Sequence, residues 1–249
     1  MDPEIQSEDG FAPKFEALWG ALGAVVAAYF GSTSLLLAWI ALSHETTHAG
    51  TLSVGDLVSS SLGTWLGFLG GALLASRIRG TGSIRRDYSF ALRPLVDVPV
   101  GIVAGLALQV IILPAIYLPL QPLIPDLQKK LSGPANYITS AGHGSSMVVV
   151  GLVLVVCAPL VEEVFFRGLL LQSISYRLRN LGHRTNTILT VLLSAIGFGI
   201  AHVEPLQLLG LTAVGVVLAS LRIRFDRLGP GIVTHATFNF ITFASLYHR

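Results

Sequence analysis

The sequence predicts an all-α, polytopic transmembrane helix bundle of about seven spans around a polar cavity. Hydrophobic residues make up 52% of the 249 residues and charged residues only 12%, and seven apolar stretches recur along the chain. Soluble domains carry about 25% charged residues, so this composition and the mean hydropathy of +0.70 exclude that class. The net charge of +2, without a basic cluster, gives no reason to expect nucleic acid as a partner.

Seven stretches have, or nearly have, the roughly 20 apolar residues that a membrane-spanning helix needs. They are residues 18–42, 57–76, 98–120, 147–172, 187–202, 207–221 and 230–246. The proline-rich residues 114–125 leave room for a half-helix, which would make eight spans. Residues 123–146 are polar and interrupted by Gly and Pro, so we expect a loop there with room for one short interfacial helix. In the second span, Gly63, Gly67 and Gly71 recur every four residues, which predicts close contact with a neighbouring helix.

Arginine residues indicate the orientation of the bundle. They cluster at residues 77–93, 177–184 and 222–227, between alternate pairs of spans, and such clusters are typical of cytoplasmic loops. We therefore expect the N-terminus to be cytoplasmic, with residues 1–17 as a polar tail and residues 18–249 as a single transmembrane domain. No organelle-targeting segment is apparent, so we expect an integral protein of a bacterial inner membrane.

Two adjacent acids and an arginine lie inside the fourth span, which is otherwise apolar. Ionisable groups in hydrocarbon cost about 2.5–3.5 kcal/mol each on insertion scales and indicate a functional site by default. Glu163 and Arg167 are four residues apart, so they share a helix face and are expected to pair. Glu162 lies about 100° round the helix, free to face another neighbour and to act as a general base. The alternative is a structural ion-pair network that locks helices together.

Two further polar pairs lie at four-residue spacing in later spans. Phe198 and His202 share one face at the end of the fifth span, and His235 and Asn239 share one face of the last span. Each pair alone is as consistent with interhelical packing and hydrogen bonding, which averages about 0.6 kcal/mol in membranes, as with chemistry. Together, however, the three helices carry more polar groups than a purely structural role needs.

These three motifs, in this order, resemble those of the prenyl-protein CaaX endopeptidase and bacteriocin-processing family, also called CPBP or Abi. The resemblance covers residues 98–246, the expected catalytic core, and every motif position is met, with Asn239 at the last place. It implies an intramembrane endopeptidase with an all-helical fold around a cavity open to the cytosol. The implied partners are a peptide or lipidated protein substrate and membrane lipid.

The resemblance also implies a role for each motif residue. Glu162 would activate a water that His202 helps to hold, and His235 and Asn239 would stabilise the oxyanion of the tetrahedral intermediate. The remaining motif residues, Glu163, Arg167 and Phe198, would support this arrangement. No serine or cysteine occupies a motif position, so direct attack by water is favoured over a covalent nucleophile.

Metal dependence stays open at this stage. Glu162, His202 and His235 supply the ligand types of a catalytic zinc site with one open position. The same residues without metal would work as a glutamate-type protease, and this reading is favoured because Asn239 fits an oxyanion donor better than a support for a metal ligand.

A competing motif occurs at the predicted outer end of the first span. His44, Glu45 and His48 fit H-E-x-x-H, the zinc metalloprotease helix signature. Intramembrane zinc proteases of this type place the motif within a span and use a later Asp-Gly pair, and this sequence contains no Asp-Gly pair after the motif. An interfacial loop is therefore the favoured reading of these residues, with a zinc protease as the alternative.

Two non-proteolytic classes remain as alternatives. A binding or immunity protein on the same fold would present the cavity to a peptide or lipid without cleaving it. A proton- or ion-coupled transporter would use the acids and histidines as a relay, but such proteins are commonly built from inverted repeats and no matching halves are visible. All three motifs are intact in this sequence, which favours the enzyme over both of these classes.

Overall fold

The computed structural model describes residues 11–43 and 52–247, and within these ranges the chain forms helices and no β-strand. A single helical turn, Ile84–Asp87, precedes the third long helix. The helices are α1 (Leu18–Ser43), α2 (Val54–Arg79), α3 (Pro94–Leu120), α4 (Leu127–Thr139), α5 (Gly144–Arg177), α6 (His183–Ala201), α7 (Leu208–Phe225) and α8 (Gly229–Tyr247).

The helices confirm the predicted fold class. Among the described residues, six helices are long and apolar enough to cross a membrane: α1, α2, α3, α5, α6 and α7. The seventh predicted span is α8, a helix of 19 residues that carries the polar His235 and Asn239. The expected loop of residues 123–146 contains one short helix, α4, which has 13 residues and contains Pro134.

Several helices extend beyond their predicted spans, and α2 and α7 take in arginines that were assigned to loops. Helix α7 continues to Phe225, so Arg222 and Arg224 lie in its last turn and not in the following loop. A cation is favourable there because the last carbonyl groups of a helix carry partial negative charge. Arg222 is nearly fully buried and pairs with Asp226 at 2.7 Å, which offsets part of the cost of removing it from water.

Helices α1 and α2 are packed together along the predicted glycine stripe. A Cβ atom added to Gly63 would overlap the backbone of Gly31, and one added to Gly67 would overlap the backbone of Ala28. A side chain at either position would therefore separate the two helices. Small residues at such interfaces allow the backbones to approach closely, which is the main source of helix association in lipid.

We predict that Gly67→Ala destabilises the protein by about 1–3 kcal/mol, because overpacking shifts the backbone at the α1–α2 contact. The matched control is Gly70→Ala on the same helix, where an added Cβ atom has open space around it. Thermal unfolding in lipid nanodiscs measures both. Equal melting temperatures for the two variants would contradict the close packing of α1 on α2.

Helix α8 is fixed at its start and along one face by α3. The side chain of Arg227, just before α8, pairs with the buried Asp97 of α3 at 2.6 Å. Further along, Gly105 of α3 leaves room for Thr237, whose Cβ would lie 2.7 Å from a Cβ added to the glycine. These contacts set the position of α8, and with it the positions of the last motif's side chains.

Helix α5 contains two π-helical segments, Leu152–Cys157 and Glu163–Leu170, on either side of Pro159. Proline removes a backbone N–H and crowds the preceding turn, and in membranes local π adjustments let the freed backbone groups find partners. π-Helical turns also occur frequently at functional sites. The second segment begins at Glu163, so the paired acids lie where the helix changes its winding.

Candidate active site

A fully buried ion pair lies at the base of the site. The Oε1 atom of Glu163 is 3.0 Å from an Nη atom of Arg167, and the two side chains are 0% and 1% exposed. The guanidinium group of Arg167 also lies over the ring of Phe198, 4.3 Å from its centroid. The predicted pairing is therefore present, and Phe198 contacts the pair from α6 through a cation–π interaction.

His235 lies beside both glutamates. Its Nδ1 atom is 3.1 Å from Oε1 of Glu163, and its Nε2 atom is 3.9 Å from Oε2 of Glu162. A Cβ atom added to Gly231, one turn earlier on α8, would lie 2.9 Å from Oε2 of Glu163. The absence of a side chain at that position lets α8 approach the carboxylate closely enough for the histidine contact.

One ring nitrogen of His202 is hydrogen-bonded to α6. Its Nδ1 atom is 2.8 Å from the carbonyl oxygen of Phe198, and because a carbonyl only accepts, Nδ1 must donate. In the neutral ring, Nε2 is then an acceptor. The ring also packs edge-on against Phe198, with centroids 4.6 Å apart.

Asn239 is held by α5. Its Nδ2 atom donates to the carbonyl oxygen of Leu154, at 2.9 Å, inside the first π-helical segment. An asparagine amide carries two N–H groups, so this bond fixes its orientation and leaves one donor available. Asn239 does not border the cavity that contains Glu162 and His202.

A cavity of about 150 Å³ contains the two remaining motif side chains. Glu162, 20% exposed, borders it from α5, and His202 borders it from the end of α6. The other lining residues are Ala28, Tyr29, Thr64, Phe68, Phe166 and Ala201. Four of these belong to α1 and α2, which carry none of the three motifs.

The cavity lies near the middle of the first helix. Tyr29 is about 16 Å along α1 from Leu18, at ~1.5 Å per residue. Because a hydrocarbon core is about 30 Å thick, we expect the two acids to lie inside the membrane, as their position in an apolar helix predicted.

Aromatic rings connect α2 to the histidines. The ring of Phe68 stacks on Phe165 at 4.3 Å and meets Phe166 edge-on at 5.6 Å. Phe166 in turn meets Phe198 edge-on at 5.1 Å, and Phe198 contacts the rings of both His202 and His235. Rigid edge-to-face packing of this kind restricts the rotation of both imidazoles.

The candidate metal ligands do not converge. Within residues 11–43 and 52–247, no three His, Cys, Asp or Glu side chains are grouped as a metal ion would require. The Nδ1 atom of His202 is bonded to the carbonyl group of Phe198 and that of His235 to Glu163, so Nε2 would be the ligand atom of each ring. As placed in this structure, Glu162, His202 and His235 do not form a three-ligand group. The H-E-x-x-H motif at His44, Glu45 and His48 lies outside the described residues.

Comparison with known protein families gives a match for the segment that carries the site. Residues 144–241 match the family model described as type II CAAX prenyl endopeptidase, Rce1-like. This segment contains all three motifs, so the resemblance expected from them is confirmed. It is shorter than the core of residues 98–246 expected from the sequence, and it leaves α1 to α4 outside. No curated protein and no solved structure matches the chain.

Proposed function

Because residues 144–241 match the family model described as type II CAAX prenyl endopeptidase, Rce1-like, we propose that this integral membrane protein is an intramembrane endopeptidase. The observation that carries the proposal is the environment of Glu162. Its carboxylate borders a cavity together with His202, and Nε2 of His235 lies 3.9 Å from Oε2 of Glu162. A base, a second group to hold water and nearby donors are what amide hydrolysis needs.

In the proposed mechanism, water attacks the peptide carbonyl directly. Glu162 accepts a proton from the water while the water oxygen bonds to the carbonyl carbon. The Nε2 atom of His202, which is an acceptor, helps to orient that water. The carbonyl oxygen of the substrate becomes an oxyanion. Glu162 then returns the proton to the amide nitrogen, the C–N bond breaks, and the products are a carboxylic acid and an amine.

The oxyanion is stabilised by donors on α8. The second N–H of Asn239 and, when the ring is protonated, the Nε2–H of His235 are the proposed donors. Glu163 supports this role because it accepts from Nδ1 of His235 and fixes the ring orientation, while Arg167 holds Glu163 in place. Movement of α5 or α8 around the substrate would bring Asn239 to the cavity that it does not border here.

We predict that Asn239→Ala lowers kcat by about 10²–10³-fold, the usual loss when one oxyanion donor is removed. KM should change little, because the interaction forms in the transition state. The matched control is Asn136→Ala on α4, where the exposed amide donates to the hydroxyl group of Ser132 within the helix. A loss of less than threefold in the Asn239 variant, measured by steady-state kinetics, would remove Asn239 from the mechanism.

We propose that the reaction needs no metal ion. The support is geometric: among the described residues, Glu162, His202 and His235 are not grouped as the ligands of a metal ion would be. The proposed substrates are membrane peptides or lipidated proteins, including the prenylated class on which the family acts. The proposed orientation has the N-terminus in the cytoplasm of a bacterial cell.

The experiment is cleavage of a quenched-fluorescent farnesylated CaaX peptide by the purified protein in nanodiscs, with and without a strong chelator. We expect cleavage at the same rate in both. Loss of activity in chelator with recovery in Zn²⁺ would overturn the metal-free mechanism. Binding of farnesylated and unfarnesylated peptides without cleavage of either would favour the non-catalytic binding protein. Activity that is lost in His44→Ala and retained in Glu162→Gln would assign catalysis to the H-E-x-x-H motif.

A further inference from the structure

The first helix contributes a polar side chain to the cavity, although it lies outside the segment that matches the family. Tyr29 of α1 borders the cavity alongside Glu162 and His202. The residue is 43% exposed. The general reaction scheme assigns this tyrosine no role.

The hydroxyl group of Tyr29 donates a hydrogen bond to the backbone carbonyl of Ala201. Ala201 is the last residue of α6 and directly precedes His202. Carbonyl groups in the last turn of a helix have no partner within the helix, and in hydrocarbon no water replaces one. The bond from α1 therefore satisfies the carbonyl group next to the candidate catalytic histidine.

The backbone beyond His202 is in a conformation that needs support. Val203 has a φ of +55°, in the left-handed region that a β-branched residue rarely adopts. Such strained residues persist where surrounding contacts hold them, and they cluster at active sites. His202 thus lies between the end of a helix and a strained residue, with the bond from Tyr29 on one side.

We propose that Tyr29 is a positioning residue that holds the C-terminal end of α6 against α1 and so sets the orientation of His202 toward Glu162. This inference rests on the proposed function for its effect on turnover. It gives α1 a part in the reaction. It also accounts for the close α1–α2 packing, because any separation of α1 would move the hydroxyl group away from Ala201.

The test is Tyr29→Phe, which removes the hydroxyl group and keeps the ring that lines the cavity. We expect kcat to fall about tenfold or more with KM within twofold, because the substrate wall is retained. In a His202→Ala background the same substitution should cause no further loss, since the two residues act as a unit. A rise in KM that persists in that background would overturn positioning and make Tyr29 a substrate-contact residue.

The matched control is Tyr88→Phe. The hydroxyl group of Tyr88 also donates to a backbone carbonyl, that of Ala72 at 2.6 Å, but it is buried outside the cavity. We expect this variant to lose stability while kcat stays within twofold. Equal effects of the two substitutions on kcat would contradict a specific role for Tyr29.

A readout that does not depend on turnover separates this inference from the proposed function. In protein labelled with ¹⁵N-histidine, the ring signals of His202, assigned with His202→Gln, should shift in Tyr29→Phe and stay unchanged in Tyr88→Phe. If no peptide is cleaved, the endopeptidase proposal fails and this spectral comparison still tests the positioning. Unchanged His202 signals in Tyr29→Phe would overturn it.

Discussion

Replacement of Glu162 by glutamine is expected to lower kcat by about 10²–10⁴-fold, the usual contribution of a positioned general base. Glutamine has nearly the same shape and keeps the cavity wall, but its amide accepts no proton from water. Binding of the peptide should be retained, so KM should change little. Steady-state cleavage of the farnesylated quenched peptide and a separate equilibrium binding measurement give the two quantities.

The matched control for this substitution is Glu16→Gln at the start of α1. Glu16 accepts a hydrogen bond from the backbone amide of Leu18 at 2.8 Å, which a glutamine oxygen also accepts. This variant should keep kcat within twofold. Full activity of Glu162→Gln would show that another group is the base, and His44→Ala would then be the next variant to assay.

Loss of the Glu163 charge is expected to produce the largest effect on stability. Glu163→Gln should lower the free energy of unfolding by about 3–5 kcal/mol, because it leaves the fully buried guanidinium of Arg167 without its partner. Thermal unfolding in nanodiscs should show a clear fall in melting temperature. The contact with His235 is also weakened, so kcat should fall in whatever fraction remains folded.

A double variant distinguishes pairing from general damage. Glu163→Leu combined with Arg167→Leu removes both charges, and apolar pairs of similar volume are often as stable as the buried ion pair that they replace. We expect the melting temperature to recover toward that of the wild type while cleavage stays low. If Glu163→Gln alone melts like the wild type, the buried ion pair of α5 does not contribute to stability.

The helices and the local pairs could be predicted because they depend on residues close in sequence. Apolar length gave the spans, and four-residue spacing gave the Glu163–Arg167 pair, which is present at 3.0 Å. The approach of His235 to that pair joins residues more than 70 positions apart. Spacing alone does not encode such a contact, and only the resemblance to a family led us to expect it.

Other features depend on packing between helices that periodicity does not specify. The two π-helical segments, the bond from Asn239 to Leu154 and the position of Tyr29 beside the cavity belong to this group. One signal for Tyr29 was available: a polar group in the centre of an apolar span is costly in hydrocarbon, so a phenolic hydroxyl there is expected to find a partner within the protein. The sequence did not indicate that this partner would be the carbonyl next to His202.

The most direct test of water attack at Glu162 is mass spectrometry of the peptide products formed in H₂¹⁸O with added hydroxylamine. We predict that the wild-type protein releases a product whose new carboxyl group carries one ¹⁸O atom, with no hydroxamate. Glu162→Gln should leave the bound peptide intact. A hydroxamate product would reveal an acyl-enzyme and contradict direct attack by water. Equal cleavage by both proteins would contradict the assignment of Glu162 as the base.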